Sequence, residues 1–325
     1  MAPDIDTQSR MQILINPSAR SGRGQRALRS LLARQTDLAS IPCIESRSPA
    51  HFCERLQAAQ EAAAGLQAIG IAGGDGTVTL ALQALAQRRT PQRVPLCVLP
   101  TGSGNDFVHD LTGSRARAQA LRLLQHGQPR WVDVGQAEPL HGPALPFCCV
   151  ASVGLDELAL RRIHGSRFPR SSALNLSAAL AGLWQDRPRR VAIRWQGGDY
   201  RGEIMFGAVT NTRSYGGGFR VSPAARLDDG RLDLCIVPAM AKAKLLWNFP
   251  RILRGTHGAL PGLILAQSPW VEILVEPSGI TELPLCIDGE LPASTTPVRL
   301  RCQPQGLLVL APPAASRTLP HKEAA

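Results

Sequence analysis

The sequence predicts an α/β N-terminal domain, a parallel sheet with flanking helices, followed by a β-rich C-terminal domain. Within residues 10–135, short apolar runs alternate with helical patterns, which is typical of parallel sheets. Polar loops that contain glycine follow three of these apolar runs. Beyond Gly135, short strand-like runs are broken by glycine and proline, which indicates an antiparallel sandwich or open barrel.

The domain boundaries follow from this change of pattern. The 325 residues are enough for two domains, each with its own core. We expect the first domain at 10–135, with a segment at about 303–315 able to return to it. The second domain is expected at 136–302, and 316–325 are expected to form a tail.

Arginine dominates the basic residues. Lys242, Lys244 and Lys322 are the lysines, so that 33 of the 36 basic residues are arginines, and the net charge is +11. Such a surface suits phosphate or an anionic membrane face. Because the arginines are scattered and aromatic residues make up 4% of the chain, a base-stacking nucleic-acid surface is not expected.

The cysteines and the N-terminal residues predict the compartment. The eight cysteines form no C-x-x-C pair, which indicates free thiols in a reducing compartment. Residues 1–10 contain no apolar segment of a secretory signal, and no uncharged apolar run reaches the length of a membrane span. We therefore expect a cytoplasmic protein whose membrane contact is peripheral, at the inner face of the membrane.

The first polar loop separates a strand at 11–15 from a helix at 27–32. Residues 16–24 between them are small and polar, with Arg20 and Arg23 as candidate counter-charges for a phosphate. The loop does not match the P-loop pattern. A plain strand-to-helix turn is an equal alternative.

The second loop is the clearest candidate site. It follows an apolar run at 66–69 and precedes a helix whose apolar residues are Val78, Leu82 and Leu85. Glycine lets a phosphate approach the main chain, and the helix N-terminus offers unpaired N–H groups. A tight turn without a ligand is the alternative. The loop residues are Gly73, Gly74, Asp75, Gly76 and Thr77.

The third loop repeats the arrangement after a strand at 94–99. In a parallel sheet, ligands bind outside the carboxyl ends of the strands, so three such loops at one edge indicate a ligand site more strongly than one loop does. The residues of this loop and the first residue of the helix after it are Gly102, Ser103, Gly104, Asn105 and Asp106.

Four aspartates are candidates for the chemistry. Asp75, Asp106 and Asp133 are each expected at the end of a strand, at the same sheet edge, where Mg²⁺ could bind beside substrate phosphates. Asp288 and Glu290 flank Gly289 after an apolar run. On the pattern alone a β-hairpin turn is favoured for this segment, because Asp-Gly is a strong hairpin signal.

Two helical patches interrupt the C-terminal strands. Core packing is the default interpretation of both, and an amphipathic helix lying on an anionic bilayer is the alternative. The first patch has Leu176, Leu180, Leu183 and Trp184 on one face. The second has Leu245, Leu246, Phe249 and Ile252, flanked by Lys242, Lys244, Arg251 and Arg254.

As a series, the motifs resemble the diacylglycerol kinase catalytic-domain family, bacterial lipid kinases related to sphingosine and ceramide kinases and, more distantly, to NAD kinases. They occur in family order over nearly the whole chain. The resemblance implies an NAD-kinase-like fold, with ATP and a lipid meeting in the cleft between the domains. Besides the second and third loops, the motifs are Val132-Asp133-Val134-Gly135, Val153-Gly154-Leu155-Asp156, Tyr215-Gly216-Gly217-Gly218, the segment 227–233 and Ile287-Asp288-Gly289-Glu290.

The resemblance also implies roles for individual residues. Asp75 and Thr77 with their glycines would hold ATP phosphates and magnesium, and the third loop and the loop after Asn16 would complete the nucleotide site. Asp106 and Asp133 would join a carboxylate–water–magnesium network.

The general base is assigned in two ways within the family. Asp288 matches the residue usually given this role, with Glu290 supporting it, whereas in some relatives the aspartate that matches Asp75 is favoured. Asp229, with the main-chain oxygens of Arg226 and Arg231, matches a structural metal site.

The chain departs from the family pattern at two places. After Thr77 the family usually has a small residue, Asn and Glu, where this chain has Val78-Thr79-Leu80. After Phe107 it usually has Ala-Arg, where this chain has Val108-His109. The main carboxylates remain, which favours an active enzyme.

The expected function is therefore an ATP- and Mg²⁺-dependent kinase that phosphorylates a hydroxyl of diacylglycerol or a related membrane lipid. The alternatives are a kinase of a soluble acceptor such as NAD and a nucleotide-binding regulator without catalysis. The expected partners are the lipid substrate and an anionic membrane surface, without nucleic acid, and an exposed sheet edge in the second domain could form a homodimer.

Overall fold

The computed structural model describes residues 10–16, 23–62, 65–88, 91–165, 172–185, 187–275 and 282–313. Several expectations lie outside the described residues: Arg20 and most of the first polar loop, the chain start before Arg10, and the tail at 316–325. The side chains of Arg23, Leu176 and Leu183 also lie outside them.

The N-terminal domain contains a parallel sheet in the order β2–β1–β3–β4, which agrees with the alternation of strands and helices in the sequence. The strands are β1 (Met11–Ile15), β2 (Cys43–Glu45), β3 (Ala68–Gly73) and β4 (Leu96–Pro100). The helices are α1 (Arg23–Ala33), α2 (Thr36–Ala39), α3 (Pro49–Glu61), α4 (Asp75–Ala86), α5 (Asp106–Thr112) and α6 (Arg117–His126).

Two long strands, β5 (Gln128–Pro139) and β14 (Val298–Ala311), pair antiparallel along most of their length. Near its C-terminal end, β14 also pairs with the parallel sheet, where Val309 lies beside Leu96 of β4. Near its N-terminal end, β14 pairs with a strand of the β-rich domain. One sheet therefore runs continuously from the first domain into the second.

The β-rich domain is antiparallel. Its other strands are β6 (Leu145–Phe147), β7 (Val150–Gly154), β8 (Arg189–Trp195), β9 (Gly198–Thr210), β10 (Leu232–Pro238), β11 (Ile264–Ser268), β12 (Trp270–Val275) and β13 (Cys286–Ile287). Its helices are α7 (Leu155–Gly165), α8 (Ser172–Gln185) and α9 (Lys242–Arg254). The expected fold class, α/β followed by β-rich, is confirmed.

The buried apolar residues form more than one core, and one of these cores spans both domains. One core lies inside the antiparallel strands and includes Ile193, Val209 and Leu234. Another covers one face of the parallel sheet and extends to Phe206 and Phe249 of the second domain. Because this second core is shared, the two domains pack directly against each other.

The sequence pattern predicts separate strands at 283–287, 298–302 and 306–310, and a strand that ends next to Asp133. These three expectations are wrong in detail. The runs at 298–302 and 306–310 belong to one strand, β14, whose register shifts between Gln303 and Leu307. The run at 283–287 keeps only two residues as a strand, because the amide of Leu283 bonds to the side chain of Thr296 rather than to a neighbouring strand. Asp133 lies in the middle of β5 and not at a strand end, because pairing with β14 extends that strand to Pro139.

None of the described helices has both the length and the hydropathy needed to cross a bilayer.

Candidate active site

A cavity of about 970 Å³ brings the predicted loops and carboxylates together. Asp75 and Asp288, more than two hundred residues apart in the sequence, both line it. One end of the cavity is formed by glycine loops, and the other end by apolar side chains of α7 and α9. The predicted site residues that line it are Asn16, Gly74, Asp75, Gly76, Thr77, Gly102, Ser103, Gly104, Asp288 and Glu290.

The second and third loops touch through their main chains. A Cβ atom on Gly102 would lie 2.4 Å from the Cα atom of Gly74, and one on Gly74 would lie 2.9 Å from the Cα atom of Gly102. A Cβ on Gly73 would lie 2.0 Å from the Thr77 hydroxyl oxygen. These glycines are therefore required by protein packing itself, and Gly73 does not line the cavity.

Side-chain amides fix the shape of both loops. Asn105, at φ 54°, precedes α5, and its side chain accepts a hydrogen bond from the Gly102 amide and donates one to the Gly102 carbonyl. Asn16 at the end of β1 donates to the hydroxyl of Thr77. Asn105 thus acts through the loop and does not line the cavity.

Gly76 differs from the other loop glycines, and this difference gives a test. A Cβ on Gly76 would meet nothing within 4 Å, at a position that lines the cavity. We expect Gly76→Ala to keep its melting temperature and to weaken ATP binding about tenfold or more, because the methyl group occupies space that a phosphate would use.

Gly102→Ala is the matched variant. Because its Cβ would overlap the Gly74 main chain, we expect a melting temperature lower by several degrees, corresponding to roughly 1–3 kcal/mol. Thermal melting and equilibrium binding of a fluorescent ATP analogue would measure both effects. Unchanged ATP affinity in Gly76→Ala would contradict a phosphate position at this residue.

Asp75 is the first residue of α4 and caps a different helix. Its two carboxylate oxygens accept hydrogen bonds from the amides of Asp106 and Phe107, at the start of α5, over 3.2 and 3.0 Å. Burial, followed by the charge of Asp106, raises the pKa of Asp75 to about 7. Each oxygen keeps acceptor capacity beyond the one amide it binds. An additional cation beside Asp75 would therefore offset an unfavourable electrostatic environment.

The carboxylate of Asp106 is held by donors from the protein itself. Its oxygens accept from the Arg115 guanidinium at 2.5 Å, from the Ser214 hydroxyl at 2.9 Å and from the Gly217 amide at 2.7 Å. The side chain is 1% exposed and does not line the cavity. These contacts tie α5 to the glycine-rich turn of the second domain. Direct metal binding by Asp106 stays a prediction.

Asp133 binds a different set of donors. Its oxygens accept from the amides of Gly230 and Gln305, over 2.7 and 2.9 Å. The expectation that it lies with Asp75 and Asp106 at strand ends is wrong, since it lies within β5 and binds the amides of Gly230 and of Gln305 in β14. Its part in a magnesium network stays a prediction. The proposed structural metal site is next to it: Asp229 accepts from the amide of Arg231, and its pKa is raised by burial. Arg226 donates to the neighbouring Asp228, and metal binding at 226–231 stays a prediction.

Asp288 is both a turn residue and a site residue. Asp288 and Gly289 have φ of 46° and 83°, and Ile287 and Glu290 exchange main-chain hydrogen bonds around them, which is the two-residue hairpin that Asp-Gly predicts. The turn directs the carboxylate of Asp288 to three consecutive amides, those of Cys148, Cys149 and Val150, at 2.7, 2.9 and 2.9 Å. The hairpin interpretation and the site interpretation are therefore compatible.

Thr79 completes the environment of Asp288. Its hydroxyl lies 2.5 Å from the second oxygen of Asp288 and 3.2 Å from the carbonyl oxygen of Asp75. Each oxygen of Asp288 thus has two donors, which matches the number of acceptor positions of a carboxylate. Burial raises the pKa of Asp288, while the Thr79 hydroxyl and the three amides act in the opposite direction.

Glu290 is exposed at the rim of the cavity and lies 3.6 Å from His164 of α7. The imidazole of His164 also lies 3.2 Å from the carbonyl oxygen of Gly289. These contacts join His164 to both Gly289 and Glu290 and place Glu290 in the Asp288 turn.

The apolar end of the cavity contains one further carboxylate. Asp156 at the start of α7 accepts from the hydroxyl groups of Ser152 and Tyr215, at 2.6 and 2.9 Å, and burial raises its pKa. The surrounding side chains are Leu155, Leu160, Ile163, Phe206, Phe219, Leu245, Phe249 and Ile252. This end therefore suits an apolar molecule that carries a hydroxyl group.

Sequence reasoning missed several of these residues. In the sequence, Thr79 stands out only as a departure from the family pattern, and the main-chain amides at 148–150 carry no side-chain signal at all. Arg115 follows an ordinary helix end, and nothing in the pattern marks it as the partner of Asp106. Asp156 and Tyr215 stand in motifs of the series, but no role was assigned to them.

Two family matches cover most of the chain. The diacylglycerol kinase catalytic domain matches residues 10–137, and the YegS C-terminal NAD kinase beta sandwich-like domain matches residues 149–311. A protein of Mycobacterium tuberculosis described as "Diacylglycerol kinase" is 30% identical over 92% of this chain and 94% of its own length. A protein of Chromohalobacter salexigens described as "Probable lipid kinase YegS-like" is 30% identical over 80% of each chain.

Solved structures share the fold. A crystal structure from Bacillus anthracis strain Sterne matches with a TM-score of 0.72 at 20% identity, over 94% of this chain and 98% of that chain. A second, of a diacylglycerol kinase from the same organism, matches with a TM-score of 0.63 at 18% identity, over 94% and 97%.

Proposed function

We infer that this chain, which belongs to the diacylglycerol kinase catalytic-domain family, is an ATP-dependent lipid kinase that transfers the γ-phosphoryl group to an alcohol. The observation that carries this inference is one cavity lined by glycine loops, by apolar side chains of α7 and α9, and by carboxylates that include Asp75 and Asp288. Diacylglycerol is the acceptor that we propose, since it has a primary hydroxyl group on an otherwise apolar body.

The glycine loops are suited to the phosphates of ATP. The N-terminus of α4 at Asp75 and the loop at Ser103 and Gly104 open onto the same end of the cavity. Unpaired amides at a helix N-terminus attract phosphate. Gly76, where a side chain would enter open space, leaves room for that approach.

We propose that Asp75 holds Mg²⁺ beside the phosphates. Its carboxylate lines the cavity, keeps free acceptor positions and has a raised pKa, so the donor set fits a divalent cation. When bound, the ion would neutralise charge on the β- and γ-phosphates. Asp75 is aligned for this by the amides of Asp106 and Phe107.

Asp288 is the general base that we propose, and Thr79 controls its availability. With the Thr79 hydroxyl bonded to it, Asp288 has no acceptor position left for the hydroxyl of a lipid. The same hydroxyl can instead donate to the carbonyl oxygen of Asp75, 3.2 Å away, without movement of heavy atoms. That rotation frees one oxygen of Asp288 to take the proton from the lipid hydroxyl as the phosphoryl group transfers.

The runner-up is a kinase with a soluble acceptor. NAD is polar and charged, whereas the acceptor end of the cavity is lined by Leu160, Phe249 and other apolar side chains. That lining favours a lipid acceptor.

A panel of acceptors tests the function. Purified protein with γ-labelled ATP and Mg²⁺ is offered diacylglycerol, monoacylglycerol, sphingosine, ceramide and NAD in parallel. We expect label in phosphatidic acid, and loss of label when EDTA is added before ATP. Transfer to NAD alone would contradict the lipid assignment, and ATP binding without transfer to any acceptor would support a regulator.

A further inference from the structure

Helix α9 has two apolar faces, and only one of them is needed by the fold. Leu245, Phe249 and Ile252 face inward and line the cavity. Leu246, Trp247 and Leu253 point outward, with 41%, 85% and 36% of their surfaces exposed. Trp247 is thus a large aromatic side chain without protein cover, on the same helix that forms a wall of the cavity.

A second exposed tryptophan belongs to α8 and lies close to the start of α9. Trp184 at the end of α8 is 65% exposed, and the ammonium group of Lys242 donates to its carbonyl oxygen at 2.5 Å. We call Trp184, Leu246, Trp247 and Leu253 together the α9 surface. A group of exposed apolar side chains marks an interaction site more often than single exposed apolar residues that are scattered over a surface.

The charged side chains of α8 and α9 themselves have one sign. Lys242, Lys244, Arg251 and Arg254 lie on α9, and neither α8 nor α9 contains an acidic residue. Tryptophan and leucine beside lysine and arginine is the composition of helices that lie in the interface of anionic bilayers. Two copies of this surface facing each other would bring like charges together, which disfavours a dimer contact here.

We propose that the α9 surface docks on an anionic lipid bilayer. The proposal rests on the proposed function, because it names the partner from which the cavity takes its acceptor. A helix with side chains is about 10 Å thick, so that when Trp247 lies in the head-group region, the cavity wall at Phe249 is about one helix diameter from the lipid. A lipid can then enter the cavity without crossing water over a long distance.

Vesicle flotation of the full chain without ATP tests the docking. We expect the protein to float with vesicles of phosphatidylcholine and phosphatidylglycerol at low salt, and to float much less with phosphatidylcholine alone or at high salt. The variant with Leu246→Ser, Trp247→Ala and Leu253→Ser should bind anionic vesicles about tenfold more weakly or worse. The variant with Lys244→Gln and Arg251→Gln should lose most of the vesicle binding that depends on salt concentration.

Matched controls exist elsewhere on the surface. Leu140 and Trp131 are 67% and 40% exposed but lie outside α8 and α9, so Leu140→Ser with Trp131→Ala should bind as wild type does. Arg194→Gln with Arg201→Gln, two exposed arginines of β8 and β9, controls for the loss of charge. Equal binding by the α9 variant and these controls would overturn the proposal.

A second assay separates docking from catalysis. A short-chain diacylglycerol that dissolves as monomers should be phosphorylated equally by wild type and the α9 variant, while diacylglycerol in anionic vesicles should be phosphorylated about tenfold more slowly by the variant. Vesicle binding by a wild type that phosphorylates no lipid would refute the kinase and leave docking standing. Dimers that dissociate in the variant, with unchanged vesicle binding, would assign the surface to a second copy and refute docking.

Discussion

Replacing Asp75 with Asn is expected to reduce lipid phosphorylation by roughly a thousandfold, about 4 kcal/mol of transition-state stabilisation. Asp75 is the cavity carboxylate next to the glycine loops, and it is the residue that we propose for Mg²⁺. Asn has nearly the same shape and keeps an acceptor for one of the two amides, those of Asp106 and Phe107, while its NH2 group faces the other. The variant therefore removes the charge and leaves the loop geometry largely in place.

The melting temperature of Asp75→Asn shows whether the loss of activity comes from unfolding. Burial and Asp106 raise the pKa of Asp75 to about 7, so at pH 8 the ionised carboxylate lowers the stability of the metal-free folded protein. We expect the melting temperature of metal-free Asp75→Asn at pH 8 to equal or exceed that of wild type. As the pH is lowered from about 7 toward 4, Asp75 protonates in the folded wild type. The difference in melting temperature in favour of Asp75→Asn should therefore shrink.

Asp110→Asn is the matched control for Asp75→Asn. Asp110 is a buried carboxylate on α5 whose pKa is raised to about 6, mainly by burial, but it does not line the cavity. We expect this variant to phosphorylate lipid within about twofold of wild type. Activity of Asp75→Asn within tenfold of wild type would contradict the assignment of Asp75.

The strand–loop–helix part of the site could be predicted from the sequence because each piece has a local cause. Glycine permits the contact between Gly74 and Gly102, and the helical period of α4 and the apolar strand before it are visible in the pattern. The carboxyl ends of parallel strands meet at one edge, so the convergence of these loops followed from topology.

The surroundings of Asp288 could not be predicted in this way. Its turn is a local property of Asp-Gly, but its partners are main-chain amides at 148–150, placed there by the pairing of β7 with β13. Main-chain donors carry no residue identity, so no pattern marks them. The predicted strand-end position of Asp133 was wrong for a related reason. Only the long pairing of β5 with β14 shows that the strand continues beyond Asp133.

This environment changes what the loss of Asp288 should do. Asp288→Ala leaves three buried amides without their acceptor, and each unsatisfied group costs about 1–3 kcal/mol. We expect the variant to lose activity by roughly a thousandfold and to melt several degrees below wild type. Asp288→Ala alone therefore cannot separate a catalytic role from a structural one.

Substitutions of Thr79 separate the catalytic role of Asp288 from its structural role. Thr79→Val removes one donor from Asp288, keeps the side-chain shape and leaves the three amides in place. Because that donor lowers the pKa of Asp288, its loss should raise the pKa, and the acid side of the pH–rate profile should move to higher pH. Thr79→Ser retains the hydroxyl group and should restore the wild-type profile.

The pH profile then decides between the two candidate bases. If Asp288 takes the proton, Thr79→Val shifts the profile of kcat while ATP affinity stays the same, since the Thr79 hydroxyl contacts the carboxylate of Asp288 but only the carbonyl oxygen of Asp75. An unshifted acid side in Thr79→Val, together with loss of activity in Asp75→Asn, would transfer the role of base to Asp75. Asp288 would then be a structural anchor for the 148–150 amides, and its carboxylate would stay bound to four donors throughout the reaction.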